Sequence, residues 1–476
     1  METNTAPRLV VRGGSLVVPD GLVEVDLLCA DGKVAAWLAR GEAVPSDEAY
    51  DASGKLLFPG FIDPHVHSRD PGLTHKETFW HSTLSALHGG VTTVLEMPNS
   101  VPPVVDGASY SSRVACLEPQ AWVDFGLWGM TLGHENVDAI DEMFDLGAVA
   151  VKLFWGYALR RDTRSLVYNI GDLPPEQVIA PPENGDVLSI FRAVAARGGL
   201  LAAHCEDRHL LEAAEEELGH SLSTYDDLLR ARPASAESTA VTIAAHFASL
   251  TGCRFHVVHM ASAEATDVVR RAQRAGALVS AETCPQYLTL TDADYDQIGP
   301  TMKVYPPIRT AADQAALWRG IEDKTIASIG SDHAPHTLAE KAEPLDTQPA
   351  GIVGVETIVP VMLDAMARGR LSPQRLADVL SANTARLYGL YPRKGMLRPG
   401  ADADITIVDP EGSVKISDEH LHSLNALSPW RGRTLKGAPV ATVLGGRVAA
   451  EAGQVRDQTP AGKHVRAEHV RPVREE

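Results

Sequence analysis

Leu56-Leu57-Phe58-Pro59-Gly60-Phe61-Ile62 is an apolar run that ends in Asp63-Pro64-His65-Val66-His67. A short run that is apolar at every position reads as a strand buried on both faces, as in a parallel sheet. Residues two apart on an extended chain point to the same side, so both imidazoles can face one metal ion. Seven further strand-like, mostly apolar runs follow: Val91–Met97, Val123–Met130, Ala148–Phe154, Leu200–His204, Phe255–His259, Leu278–Glu282 and Thr325–Ile329. Helix-length, alanine-rich amphipathic stretches lie between most of them, for example 186–197, 236–251 and 264–275. Eight strands alternating with helices predict an α/β fold, a (β/α)8 barrel over residues 58–395, with its active site at the C-terminal ends of the strands.

The two ends of the chain read differently. Leu9–Arg12, Gly14–Val18, Val23–Leu28 and Lys33–Trp37 are short strand-like segments, and Ala403–Asp409 and Pro439–Gly446 return to that style. Residues 1–57 and 396–456 are therefore expected to build one small β-sandwich domain together, with 457–476 as a polar, charged C-terminal tail.

Composition narrows the function. A length of 476 residues suits one large barrel plus a smaller module, and the 44% hydrophobic content is that of a soluble globular protein. The formal net charge of −19 argues against nucleic acid or an anionic membrane as partner, since both reward basic patches. The five cysteines are scattered without paired spacing, which fits a reducing compartment. The opening Met1-Glu2-Thr3-Asn4-Thr5-Ala6-Pro7 has no basic region followed by an apolar run, and nowhere do 18 apolar residues occur in succession. A cytoplasmic protein is expected.

The polar residues at the strand ends carry the chemistry. Besides His65 and His67, the fourth strand ends in Lys152, the fifth in His204, the sixth in His259, and the eighth leads into Ser331-Asp332-His333. Each alone has a bland reading: a lone histidine is more often a core residue than a ligand, and Asp332 could cap a helix. Lys152 is odder, because a lysine ending a buried strand needs neutralisation or a partner. Five strands offering a ligand-capable group at the same end of one barrel outweigh the bland reading. Such a set suits hydrolysis of an unreactive amide, because coordination to Zn2+ lowers the pKa of water from about 15.7 to about 7. Two metals could share the resulting hydroxide, and a carbamate formed on Lys152 by CO2 would offer two anionic oxygens to bridge them. Asp332 would hold one metal and carry a proton from the attacking hydroxide to the leaving nitrogen.

With these residues and the segments Pro59–His67 and Pro399-Gly400-Ala401-Asp402-Ala403-Asp404, the chain resembles the amidohydrolase superfamily over almost its full length. The likeness is to its cyclic amidohydrolases: dihydroorotase, allantoinase and hydantoinase/dihydropyrimidinase. The resemblance implies two divalent metal ions, expected to be zinc, bridged by N6-carboxylated Lys152. His65, His67 and Asp332 would hold one ion, and His204 and His259 the other. Arg69, Asn99 and His336 resemble the dihydroorotase residues that grip a substrate carboxylate, a task that suits an arginine fork. Tyr157, five residues after Lys152, matches the hydantoinase tyrosine that steadies the oxyanion. Tyr305, in Lys303-Val304-Tyr305-Pro306-Pro307-Ile308-Arg309 of the seventh-strand region, stands where dihydroorotases usually carry Asn. The long segment from Leu159 to Asn184 suits a substrate lid or an oligomer contact.

The expectation is a dihydroorotase-like cyclic amidohydrolase acting on a small carboxylate-bearing ring amide or ureide, working as a homo-oligomer. The alternatives are hydantoinase or allantoinase activity and, in a minor place, a non-catalytic scaffold related to dihydropyrimidinase. Such scaffolds typically lose metal ligands, and all six are present here.

Overall fold

The computed structural model describes residues 8–167 and 173–468. Eight parallel strands form the barrel: Phe61–Val66, Val91–Glu96, Asp124–Leu127 continuing at Gly129–Met130, Val151–Trp155, Leu200–Cys205, Arg254–Val257, Val279–Thr283 and Ser328–Ile329. Each pairs in parallel with its neighbour. The ring closes between the eighth and first strands, where Val66 bridges His333 and the His67 amide donates to the His333 carbonyl at 2.8 Å. The first, second and fifth strands are buried at every residue, which is why they read as largely apolar runs. Helices Asn184–Ala196, Ala234–Thr251 and Ala263–Arg274 connect successive strands, matching the stretches expected from the sequence.

The terminal segments form the β-sandwich. One sheet orders Lys33–Leu38, Asp26–Ala30, Leu9–Arg12 and Glu48–Asp51. The other joins Gly21–Glu24, Ser15–Val18 and Leu56–Pro59 to Ile405–Lys415, Thr434–Leu444, Arg447–Glu451 and Gln454–Val455. Leu9, Leu16, Leu27, Leu57, Ile405 and Val443 meet in the core between them. The single run expected over Val23–Leu28 is two strands, because the chain changes sheets at Val25: Gly21–Glu24 pairs with Ser15–Val18, and Asp26–Ala30 with Leu9–Arg12. Leu56–Pro59 lies between Ser15–Leu16 and Ile405–Val408 and runs almost directly into the first barrel strand, so the sandwich is anchored to the barrel.

A buried ion cluster fastens that junction. The Lys394 ammonium donates to Asp124 at 2.6 Å and Asp404 at 2.5 Å and lies 3.2 Å from Asp402. Asp124 opens the third barrel strand and also accepts from the Lys463 amide at 2.8 Å, while Asp404 accepts from the Gly445 amide at 2.9 Å. Residues 462–468 run alongside, with amides bonded to the Ala121, Phe125, Gly147 and Gly389 carbonyls. Part of the 159–184 segment folds as a small antiparallel sheet of Ala158–Arg160, Leu166–Val167 and Val178–Ile179; residues 168–172 lie outside the described residues. The seventh-strand region around Tyr305 is a loop following the Val279–Thr283 strand. No helix among the described residues is long and apolar enough to cross a membrane.

Candidate metal centre and active site

His65 and His67 leave the end of the first strand with their Nε2 atoms 3.4 and 3.5 Å from one Asp332 oxygen. Across the cavity, His204 Nδ1 and His259 Nε2 face each other at 3.2 Å. Between the two groups stands Lys152, wholly buried, its Nζ without a hydrogen-bond partner among the described residues. The six expected ligands therefore line one cavity of about 60 Å3. A second cluster with the spacing of a metal site, Asp124, Asp402 and Asp404, is filled by the Lys394 ammonium.

Three of the four imidazoles have their outward nitrogen engaged. His65 Nδ1 donates to Glu282 at 2.9 Å, His67 Nδ1 to Asn99 Oδ1 at 2.7 Å, and His204 Nε2 to Glu206 at 2.8 Å. Each such bond sets the tautomer, so the remaining nitrogen turns a lone pair inward, the arrangement of metal-bound histidines. Burial pushes all four imidazole pKa values down, and Lys152 adds to this at His65 and His259. Burial also lowers the Lys152 amine to about 8, against the opposing pull of Asp332 and Glu282. A buried cavity lined by four imidazoles, an amine and one carboxylate has the donor set of a divalent metal site.

Local backbone geometry serves this convergence. Gly330 passes so close to Glu282 that a Cβ there would lie 2.8 Å from its carboxyl carbon, so glycine lets Glu282 reach His65. His259 and Asp332 adopt φ of 39° and 50°, in the left-handed region. The Ser331 amide donates to Asp63 at 3.0 Å, and the His259 amide to Glu282 at 3.3 Å, on either side of the cavity.

The expected substrate contacts divide. Arg69, Asn99 and Tyr157 line the cavity, and His336 is not among the lining residues. His336 stands behind Arg69, whose guanidinium lies 3.2 Å from its Nε2, and that nitrogen also meets the Ala350 carbonyl at 3.0 Å. Phe154, Leu166, Val304 and Tyr305 supply apolar wall, Leu166 coming from the small antiparallel sheet. Sequence reasoning missed Glu206, Glu282 and Arg232. Arg232 is buried and donates to Glu206 at 2.9 Å and to the Tyr157 phenol at 2.6 Å. Burial alone would raise Glu206, but Arg232 and His204 outweigh it and bring its pKa down to about 2. Glu206, two residues beyond His204 at a buried strand end, carried a signal that could have been read; Arg232 carried none.

Residues 56–449 match the model of the amidohydrolase family. The chain belongs to that family. This amidohydrolase is 36% identical over 473 residues to an allantoinase of Rubrobacter xylanophilus, covering 98% of this chain and 99% of the relative. It is 36% identical over 458 residues to a dihydroorotase of Pelotomaculum thermopropionicum, covering 94% and 100%. Among solved structures, the L-hydantoinase (dihydropyrimidinase) from Arthrobacter aurescens superposes with a TM-score of 0.90 at 32% identity, covering 97% of this chain and all of that one. The amidohydrolase thus sits within the cyclic amidohydrolase group.

Proposed function

We propose that this amidohydrolase opens a cyclic ureide of the hydantoin or allantoin type by hydrolysing a ring C–N bond. Two divalent ions, zinc in the first instance, would be held by His65, His67, His204, His259, Asp332 and N6-carboxylated Lys152. The observation that carries the reading is that four histidines and Asp332 line one cavity with the buried Lys152 amine, which has no hydrogen-bond partner among the described residues. Bound there, the ions would make water a nucleophile near neutral pH and polarise the scissile carbonyl.

The chain's own groups then have separate tasks. Asp332 accepts the proton of the attacking water and delivers it to the ring nitrogen, which leaves poorly unless protonated. Tyr157 donates to the oxygen on which charge develops. Arg232 donates to the Tyr157 phenol at 2.6 Å, and a hydroxyl that accepts such a bond becomes a better donor itself. Glu282, Asn99 and Glu206 hold three imidazoles in orientation. The wall of Phe154, Leu166 and Val304 excludes bulk water from the ring.

A second reading, dihydroorotate as substrate, is favoured by Arg69, a cation on this otherwise apolar wall and suited to a ring carboxylate. One observation weighs against it: His336 lies off the cavity, behind Arg69. Side-by-side assay of the metal-loaded protein on dihydroorotate, allantoin, dihydrouracil and 5-substituted hydantoins tests the choice. Turnover of dihydroorotate alone overturns the first reading; turnover of none of the four overturns both.

A further inference from the structure

Beside the catalytic cavity lies a second of about 300 Å3, lined by Leu218, Leu222, Ala231 and the polar Glu215, His220 and Asp346. Tyr305 borders both cavities, and Arg232 borders the larger one. The Arg232 guanidinium carbon lies 3.6 Å from the centre of the Tyr305 ring, a close cation–π stack. Arg232 is itself pinned by Glu206 and the Tyr157 hydroxyl. The backbone that carries Tyr305 is held too: two prolines follow it, and the Pro306 carbonyl accepts from the Tyr287 hydroxyl at 2.8 Å.

We infer that Tyr305, clamped by Arg232, is a partition that sets the largest ring substituent this enzyme accepts, and that the cavity behind it, open to solvent on its far side, is a substituent pocket walled off from the metal centre. The inference rests on the cyclic ureide reading and adds the determinant of its size limit. Tyr305 lines the catalytic cavity, so a ring substituent directed to that side meets the tyrosine ring. The catalytic cavity, about 60 Å3, is much the smaller of the two. The larger cavity sets Leu218, Leu222 and Ala231 beside the exposed carboxylates of Glu215 and Asp346, so an arylmethyl group entering it would lie on the apolar residues and reach a carboxylate with a donor at its far end, as 4-hydroxybenzyl has. Because Arg232 keeps two bonds that do not involve Tyr305, shortening the tyrosine opens a passage instead of letting the guanidinium fall into the gap.

The test compares kcat/KM for 5-methyl-, 5-benzyl- and 5-(4-hydroxybenzyl)hydantoin in the wild type, Tyr305→Ala and Tyr305→Phe, with metal content measured for each, and solves the crystal structure of Tyr305→Ala. The ratio of either arylmethyl substrate to the methyl one is expected to rise about tenfold or more in Tyr305→Ala and to stay within about twofold in Tyr305→Phe. The two cavities should be continuous in the variant crystal. An unchanged ratio in a metal-loaded Tyr305→Ala, or cavities still separate, overturns the partition. Should Tyr305→Ala fail to fold, Tyr305→Leu must move the ratio in the same direction. If the wild type opens allantoin but no hydantoin, the ureide reading stands and the substituent partition is overturned; if it opens neither, the ureide reading fails, while merged cavities in the variant crystal still show Tyr305 to be the barrier between them.

Discussion

Replacing Lys394 by Met removes the cation at the centre of the Asp124, Asp402 and Asp404 cluster while keeping a side chain of similar length. In the native protein three carboxylates lie within 3.2 Å of Nζ, and the lysine side chain is 3% exposed. Each pair is worth about 5 kcal/mol of gross attraction at an effective dielectric of about 20, most of it offset by desolvation. Removing one member of a buried ionic group strands its partners, and such changes cost about 3–5 kcal/mol. With about 2.1 cal/mol/K of unfolding entropy per residue, the 476-residue chain loses roughly 4 °C of Tm for 4 kcal/mol. The pH dependence sharpens the test. Burial opposes the charge on Lys394, but the three aspartates outweigh it and raise its pKa, so the native cluster is intact throughout the neutral range. Burial by itself raises Asp402 and Asp404; Lys394 and its neighbours reverse this at Asp402, and at Asp404 burial prevails. Without the ammonium Asp404, which no other cation meets among the described residues, rises further above its unfolded value. The variant then binds protons that the unfolded chain releases, and it regains stability as pH falls. Melting followed by fluorescence at fixed protein and metal concentration should show a larger deficit at pH 8 than at pH 5.5. A variant that melts within 1 °C of wild type at pH 8 (about 1 kcal/mol), or whose deficit grows toward low pH, refutes the reasoning.

Asp332→Asn should lower kcat by about 10²–10⁴-fold with little change in Tm, because Asn tolerates the left-handed φ of 50° that Ala would strain; a variant above a tenth of wild-type activity would remove Asp332 from proton transfer. Glu282→Gln weakens the bond that orients His65, so zinc affinity measured by chelator competition should fall about 10–100-fold; unchanged affinity would mean that Glu282 does not support a metal ligand. Arg69→Met should raise KM for dihydroorotate by about 10–100-fold while moving hydantoin much less, and an equal effect on both would show that Arg69 does not read a carboxylate. Exhaustive chelation should abolish turnover and added zinc restore it; full activity in a metal-free chain would end the metal reading.

The barrel was legible because its strands are covered on both faces, so the chain has to supply largely apolar runs there and amphipathic helices between them. The convergence of the six expected metal-binding residues on one cavity was legible because each stands at the end of such a run, where a polar residue is out of place unless something occupies it. Legibility failed where the contact is distant in sequence and the residue lies outside any period. Arg232 sits just ahead of the Ala234–Thr251 helix and acts on Tyr157, 75 positions away. Lys394 meets Asp124 across 270 positions. The Val23–Leu28 run looked like one strand because local alternation carries no record of the sheet each half joins.

Backbone conformation offers a separate reason to read the centre as functional. Among the described residues, seven other than glycine have positive φ, and Arg69, His259 and Asp332 are three of them. A non-glycine residue held there costs about 1–3 kcal/mol, which glycine would not incur. A histidine that only filled core space would have no need of such a backbone, since an ordinary strand end presents an imidazole without strain. His259 instead turns back across the cavity to meet His204 at 3.2 Å, its amide held by Glu282, which also orients His65. Asp332 is turned likewise between Ser331, tied to Asp63, and His333, tied to the His65 carbonyl. The same few groups therefore hold the ligand rings and the strained backbone beneath them. A scaffold that retained the fold without the chemistry would be free to relax both positions, and this chain relaxes neither.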